Sequence, residues 1–184
     1  RILICCNASN RDKDFAWISE NIEVSTVVDR GNEFAQLALQ GPRAEEILQP
    51  LTDANLSELK RFHFVEALVC GVSTIVSRTG YTGEDGYELY FASDRGPEVW
   101  AALLQQGGPL GLVPVGLGAR DTLRLEMKYC LYGQDINDET TPLEAGLSWT
   151  VKFDKGAFIG KEPMVAQKAA GVPRRLVCFE VHGR

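Results

Sequence analysis

Histidine is nearly absent: the chain holds two, His63 within Phe62-His63-Phe64 and His182 near its end. That leaves no credible Ser-His-Asp or Cys-His arrangement, and both histidines read as structural. The five cysteines contain no CxxC pair and no histidine cluster, which excludes a zinc site. Cys5 and Cys6 are neighbours, a spacing whose geometry strains a disulfide. Cys5, Cys6, Cys70 and Cys178 lie in apolar, strand-like runs and Cys130 near a helix end, so all five read as small core residues of a reducing compartment. No apolar run approaches the ~20 residues of a membrane span. Basic side chains are outnumbered, 19 Lys+Arg against 25 Asp+Glu for a net charge of −6, the wrong balance for a nucleic-acid binder.

What is present is ordinary for a folded chain: 45% hydrophobic and 24% charged residues over 184 positions. This excludes disorder and coiled coil, and predicts one domain, or one plus a piece of another. Arg1-Ile2-Leu3-Ile4-Cys5-Cys6 reads as a strand without a lead-in, and Arg175–Val181 as a strand with nothing after it to pair with. Both ends therefore read as cuts through folded structure, and the chain as a fragment.

Between them, strands and helices alternate. Ser9 or Asn10 caps a helix in which Phe15, Ile18 and Ile22 share a face. Val24–Val28 and Phe34–Leu39 read as strands. Gly41-Pro42 opens a helix with Ala44, Ile47, Leu48 and Leu51 inward. Phe62–Cys70 and Val72–Ser77 form a hairpin at Gly71, and Asp85-Gly86 turns into another strand. A helix with Val99, Trp100, Leu103 and Leu104 inward ends at Gly107. A further helix runs from Gly118 to Cys130, a strand from Leu147 to Phe153, and a last helix from Glu162 to Ala170. Without a glycine fingerprint after the first strand, the pattern predicts an α+β fold of antiparallel or mixed sheets with packed helices.

Glu88 is the most informative side chain. Alternation along its strand places Tyr87, Leu89 and Phe91 on one face and Gly86, Glu88 and Tyr90 on the other. Its carboxylate either faces solvent or sits in a pocket, where a ligand edge with two adjacent N–H donors would satisfy it by a bidentate bond. The glycines of Gly80-Tyr81-Thr82-Gly83-Glu84-Asp85-Gly86 do not make a phosphate loop: no Gly-Lys-Ser/Thr follows and the two acids would repel phosphate. Alternating oxygen ligands for calcium are missing too, and the segment reads as a turn needing positive φ. Arg120 and Arg124 share a helix face, with Asp121 placed to pair with Arg124. Either they form a salt-bridged surface, or Arg120, a cation in the first helical turn, answers an anionic or carbonyl-bearing ligand. Tyr129 cannot share a straight helix's face with Arg120 and could join it only beyond a helix end.

Gly80–Leu89 and Gly116-Leu117-Gly118-Ala119-Arg120-Asp121-Thr122-Leu123-Arg124-Leu125-Glu126 closely resemble the aminomethyltransferases, the T-protein family of the glycine cleavage system. Four shorter stretches agree in order: Asn7-Ala8-Ser9-Asn10, Leu39-Gln40-Gly41-Pro42, Thr141–Leu147 and Lys155–Lys161. The resemblance implies an enzyme that takes an aminomethyl group from the lipoyl arm of the H-protein and releases ammonia. The one-carbon unit passes to tetrahydrofolate, giving 5,10-methylenetetrahydrofolate, with no metal or bound nucleotide. It implies Glu88 and Arg120 as folate contacts, with Asn7, Tyr81 and Tyr129 as wall residues. It also implies a monomer without membrane or nucleic-acid partners, in the bacterial cytoplasm or the mitochondrial matrix.

By the same resemblance, the catalytic aspartate lies upstream of Arg1. The folate-binding core occupies 1–170, and 171–184 opens a C-terminal barrel domain, so these 184 residues alone are expected to be inactive and to bind folate poorly. Lys60-Arg61, Lys152, Lys155 and Arg174-Arg175 are the candidate cations for the folate tail and the H-protein. Iron–sulfur assembly relatives carry cysteine where this chain has Ala157. Folate domains of dimethylglycine and sarcosine dehydrogenases read Gly-Glu-Leu-Gly at Gly83-Glu84-Asp85-Gly86. Those domains, or a non-enzymatic folate-binding regulator, are the alternatives.

Overall fold

A computed structural model describes residues 2–183. It resolves into two compact units, Arg1–Met127 and Lys128–Arg184. Among the described residues no helix is long and apolar enough to cross a membrane.

The first unit is built on a four-stranded antiparallel sheet: β1 (Phe34–Gln40), β2 (Phe64–Val69), β3 (Val72–Ser77) and β4 (Gly86–Ala92), in the order β1-β4-β3-β2. The β2–β3 hairpin closes on Cys70 and Gly71, both at positive φ (52° and 77°), the pair of conformations a two-residue hairpin turn demands. The expected alternation on β4 holds. Tyr87, Leu89 and Phe91 are fully buried and pair in register with Leu39, Leu37 and Ala35 of β1. Helices α2 (Ala44–Leu48) and α3 (Gly96–Gly107) close that apolar face, contributing Ala44, Ile47, Leu48, Val99 and Leu103 to the core. Burying a Leu or Val here stabilises the fold by roughly 1.5–3 kcal/mol each. Trp100, expected inward, is 44% exposed instead, one position off the buried stripe of α3.

Two further helices belong to this unit. α1 (Arg11–Asn21) buries none of its residues; Phe15 and Ile22 stay partly exposed despite their shared face. α4 (Leu117–Glu126) stops four residues short of the expected Cys130, and Lys128 takes a positive φ of 59° just past its end. In the second unit, α5 (Lys161–Ala170) follows expectation. There Glu144 is buried, receives Thr141 N–H at 3.0 Å and an Arg174 ion pair at 3.2 Å, and offers its carbonyl to Leu176 N–H at 2.8 Å. The Thr141 N–H first, then the Arg174 guanidinium, hold its carboxyl below the usual range.

Four expected strands are absent. Ile2–Cys6, residues 24–28, residues 147–153 and residues 175–181 form no ladder; Ser148–Thr150 is a 3-10 turn instead. An apolar run becomes a strand only when another strand pairs with it, and none of these runs has such a neighbour. The cysteine reading is corrected likewise: Cys5, Cys6 and Cys178 are exposed, and only Cys70 and Cys130 are half-buried.

Candidate functional site

The polar face of the sheet is organised by β1 and β4. Glu88 lies between Ala38 of β1 and Ser77 of β3 in the register, and Tyr90 lies opposite Gln36. Glu88 is half-buried, and its two oxygens are held from different sides. Gln36 donates its side-chain N–H to Oε1 at 2.8 Å, and the Thr79 hydroxyl donates to Oε2. The same Gln36 nitrogen reaches the Tyr90 hydroxyl at 3.2 Å. Burial and the adjacent Glu88 charge push the Tyr90 phenol up. Cys5 is exposed as a residue, but its thiol lies 3.6 Å from Gln36 Oε1 and partial desolvation beside this cluster raises it.

The turn joining β3 to β4 carries Tyr81 and is clamped twice. Gln40, at the end of β1, donates to the carbonyls of Thr79 (3.1 Å) and Tyr87 (3.2 Å), drawing the ends of the turn together. Its carbonyl oxygen accepts from the Thr82 hydroxyl at 3.3 Å. Gly83 has the positive φ expected of the turn (85°), but Gly80 and Gly86 do not. They are glycine for another reason. A Cβ on Gly80 would overlap the Gln40 side chain, and one on Gly86 would stand 2.6 Å from the Leu39 carbonyl.

The second clamp is Arg78. Its guanidinium grips Asp85 through both oxygens, pairs with Glu45 at 3.0 Å, and donates to the carbonyls of Leu56 and Leu59. It also lies 5.5 Å from the centre of the Tyr87 ring, whose hydroxyl donates to Glu45. The Arg78 hydrogen bonds hold the Asp85 carboxyl below its ordinary range, and Asp85 in turn raises Arg78. Nothing local in the sequence marks Arg78 or Gln40 as clamps, because their partners are brought in by the sheet register.

Beside this turn opens a cavity of about 510 Å³, entirely within the first unit. Its walls are mainly apolar, with Leu37, Trp100, Leu104, Val113 and Leu123 among them; Tyr81, Glu88 and Arg120 supply polar groups. The Arg120 guanidinium is exposed and stacks over the Tyr81 ring, 4.7 Å from its centre. Its helix neighbour Arg124 behaves differently. It is buried and bound to Asp121 at 2.6 Å, so the surface reading of this pair of arginines holds for only one of them.

Three of the five predicted site residues therefore meet in one cavity. Asn7 does not line it; its side-chain oxygen accepts the Ser9 N–H at 3.4 Å and caps the 3-10 turn before α1. Tyr129 belongs to the second unit, beyond the end of α4. Of the predicted cations, Lys60 and Arg61 are exposed, Arg174 is engaged by Glu144, and Lys155 lies over the Phe158 ring. Among the described residues, no group of three or more His, Cys, Asp or Glu side chains is placed to hold a metal ion.

A family model described as the GCVT N-terminal domain matches residues 1–155. The chain belongs to the GCVT N-terminal domain family. It is 52% identical to an aminomethyltransferase of Halothermothrix orenii over the whole chain, and 51% identical to one of Desulfitobacterium hafniense over 97% of it. The chain spans about half the length of these curated relatives, 52% and 50% respectively. Among solved structures it resembles the glycine cleavage system aminomethyltransferase T of Bartonella henselae. That likeness has a TM-score of 0.76 and 33% identity, over 90% of this chain and 45% of the other. The GCVT-domain architecture thus agrees with the α+β fold expected from the strand and helix pattern.

Proposed function

We propose that this GCVT domain is the tetrahydrofolate-binding part of a glycine cleavage aminomethyltransferase. In that reaction an aminomethyl group on the lipoyl arm of the H-protein gives up ammonia, and its carbon passes to tetrahydrofolate as 5,10-methylenetetrahydrofolate. One observation carries the reading: a carboxylate on the wall of an apolar cavity of ligand size, within the same lining as an arginine stacked on a tyrosine. Glu88 accepts from Gln36 on one oxygen and from Thr79 on the other, with the Tyr90 phenol also bonded to the group, and an ionised carboxylate has acceptor capacity left for N–H donors of a ligand. A pterin edge presents such a pair. The apolar walls would take its flat rings, Tyr81 offers a stacking face, and Arg120 suits the carbonyl or carboxylate further along the molecule.

Asn7, within the matching stretch Asn7–Asn10, and Tyr129, which lies outside the matching stretches, stay in this reading as wall residues on the strength of the family resemblance alone. The reading also carries the boundary after residue 170, with 171–184 opening the next domain. Lys60, Arg61, Lys152, Lys155 and Arg175 are the cations offered to the H-protein and the folate tail, together with Arg174, which is also paired with Glu144. None of the chain's own residues is assigned the proton transfer at the folate amine.

The test is calorimetric titration with tetrahydrofolate of a protein of the relatives' full length, in which these 184 residues form the matching half. Glu88→Ala should weaken binding at least 10-fold, since it removes two charge-assisted hydrogen bonds to the ligand. Unchanged affinity in a folded variant would refute the assignment.

A further inference from the structure

We infer that Gln36 and Thr79 are positioning residues that aim the Glu88 carboxylate at its ligand, a deepening that rests on the folate reading above. Neither residue is part of the cavity lining, whereas Glu88 is; both reach the cavity through Glu88. A glutamate's terminal torsion is broad, and a lone carboxylate would rotate freely about it. Here the two oxygens are reached from separate segments, Oε1 by Gln36 of the edge strand β1 and Oε2 by Thr79 of the clamped turn, with the Tyr90 phenol of β4 also bonded to the group. Two such anchors define the plane of the group.

Chemistry fixes the direction of both bonds. An ionised carboxylate only accepts, so Gln36 must face Glu88 with its nitrogen, which leaves its oxygen toward the Cys5 thiol at 3.6 Å. The Thr79 hydroxyl has a single proton. Once that proton goes to Glu88, the Ser77 hydroxyl, 3.0 Å away, donates to Thr79. The chain of donors therefore runs Ser77 to Thr79 to Glu88, and ends with the unused lone pairs of the carboxylate. A planar heterocycle edge carrying two adjacent N–H groups is the ligand class that such an oriented pair selects.

A double-mutant cycle in the same full-length protein, titrated with tetrahydrofolate, tests this. Thr79→Val and Gln36→Met should each weaken binding about 10-fold, the share of a hydrogen bond to a charged group. Thr79→Ser, which keeps the hydroxyl, should bind within about 2-fold of wild type. In a Glu88→Ala background neither substitution should cost anything further, because nothing remains to be aimed. Equal losses in both backgrounds, or no loss from either single variant, would overturn the inference. With Glu88→Ala still impaired, the folate reading would survive that result; wild-type affinity in Glu88→Ala would sink the folate reading itself. Gln36 is an exposed position, so its variant stays informative should Thr79→Val disturb folding.

Discussion

Alanine at Gly80 and at Gly86 should destabilise the chain for different reasons, and the difference can be measured. The Cβ of Gly86→Ala would meet the Leu39 carbonyl at 2.6 Å and the Gln40 amide at 2.7 Å. Leu39 is a core-facing residue of β1, buried and paired with Tyr87, so its carbonyl moves only if the strand moves. Forcing a methyl into that space costs about 2 kcal/mol, in the middle of the overpacking range. Gly80→Ala overlaps only the end of the Gln40 side chain, which can swing away. It then forfeits the two bonds from Gln40 to the Thr79 and Tyr87 carbonyls, again about 2 kcal/mol at roughly 1 kcal/mol each.

Removing Gln40 separates the two cases. In a Gln40→Ala background, Gly80→Ala should cost almost nothing, whereas Gly86→Ala should keep most of its penalty because the Leu39 carbonyl remains. Gly118→Ala serves as the control, since a Cβ there meets nothing within 4 Å; it should be neutral or slightly stabilising. Thermal melts give the readout. For a chain of this length about 2 kcal/mol corresponds to a shift of roughly 4–8 °C. If Gly80→Ala loses as much stability without Gln40 as with it, the glycine is not there to admit the amide, and the clamp argument fails.

Three further outcomes follow from the same networks. Arg78→Met should lower stability by about 2–3 kcal/mol in urea unfolding, because it strands the Asp85 and Glu45 carboxylates and two carbonyls at once. The Asp85 carboxyl titrates below its ordinary 3.8, so the ionised form is favoured by folding. Its contribution should be complete above about pH 4 and disappear as the pH falls through the lowered value, and Asp85→Asn should flatten that acid limb of the urea midpoint. In the second unit, Glu144→Ala should remove the side-chain anchor of Arg174 and, by loosening the segment that follows, speed amide exchange at Leu176, whose bond to the backbone carbonyl of residue 144 is left as its main tether.

The parts of this fold legible in the sequence are those with a local signature. The alternation in β4 separates Tyr87, Leu89 and Phe91 from Glu88 and Tyr90, and the Gly71 hairpin and α3 declare themselves through turn chemistry and helical spacing. The apolar runs at 2–6, 24–28 and 175–181 mislead because hydrophobicity reports a need for cover without saying what supplies it. The glycines of the turn mislead more subtly. Positive φ explains Gly83, but Gly80 and Gly86 are small because β1 delivers Gln40 against them, a contact spanning some forty residues of sequence. The same blindness hides Arg78, whose carboxylate partners come from α2 and from the far end of its own turn.

Read along β1, one strand explains how the candidate site is held open and held still. Gln36, Ala38 and Gln40 alternate onto the polar face, opposite Tyr90, Glu88 and Gly86 respectively. The outer two are amides that reach sideways, one to the Glu88 carboxylate and one to the turn that carries Tyr81. The middle one is alanine, the small residue directly across from Glu88, and it lines the cavity beside it. A larger side chain at Ala38 would occupy the space next to the carboxylate that a ligand needs. A hydrophobic residue at 36 or 40 would leave the walls standing but loosen what they present. Because β1 is the edge strand of this sheet, both its faces reach the cavity: Ala38 and Gln40 from the polar side, and Leu37 and Leu39, which also pair with β4, from the apolar side.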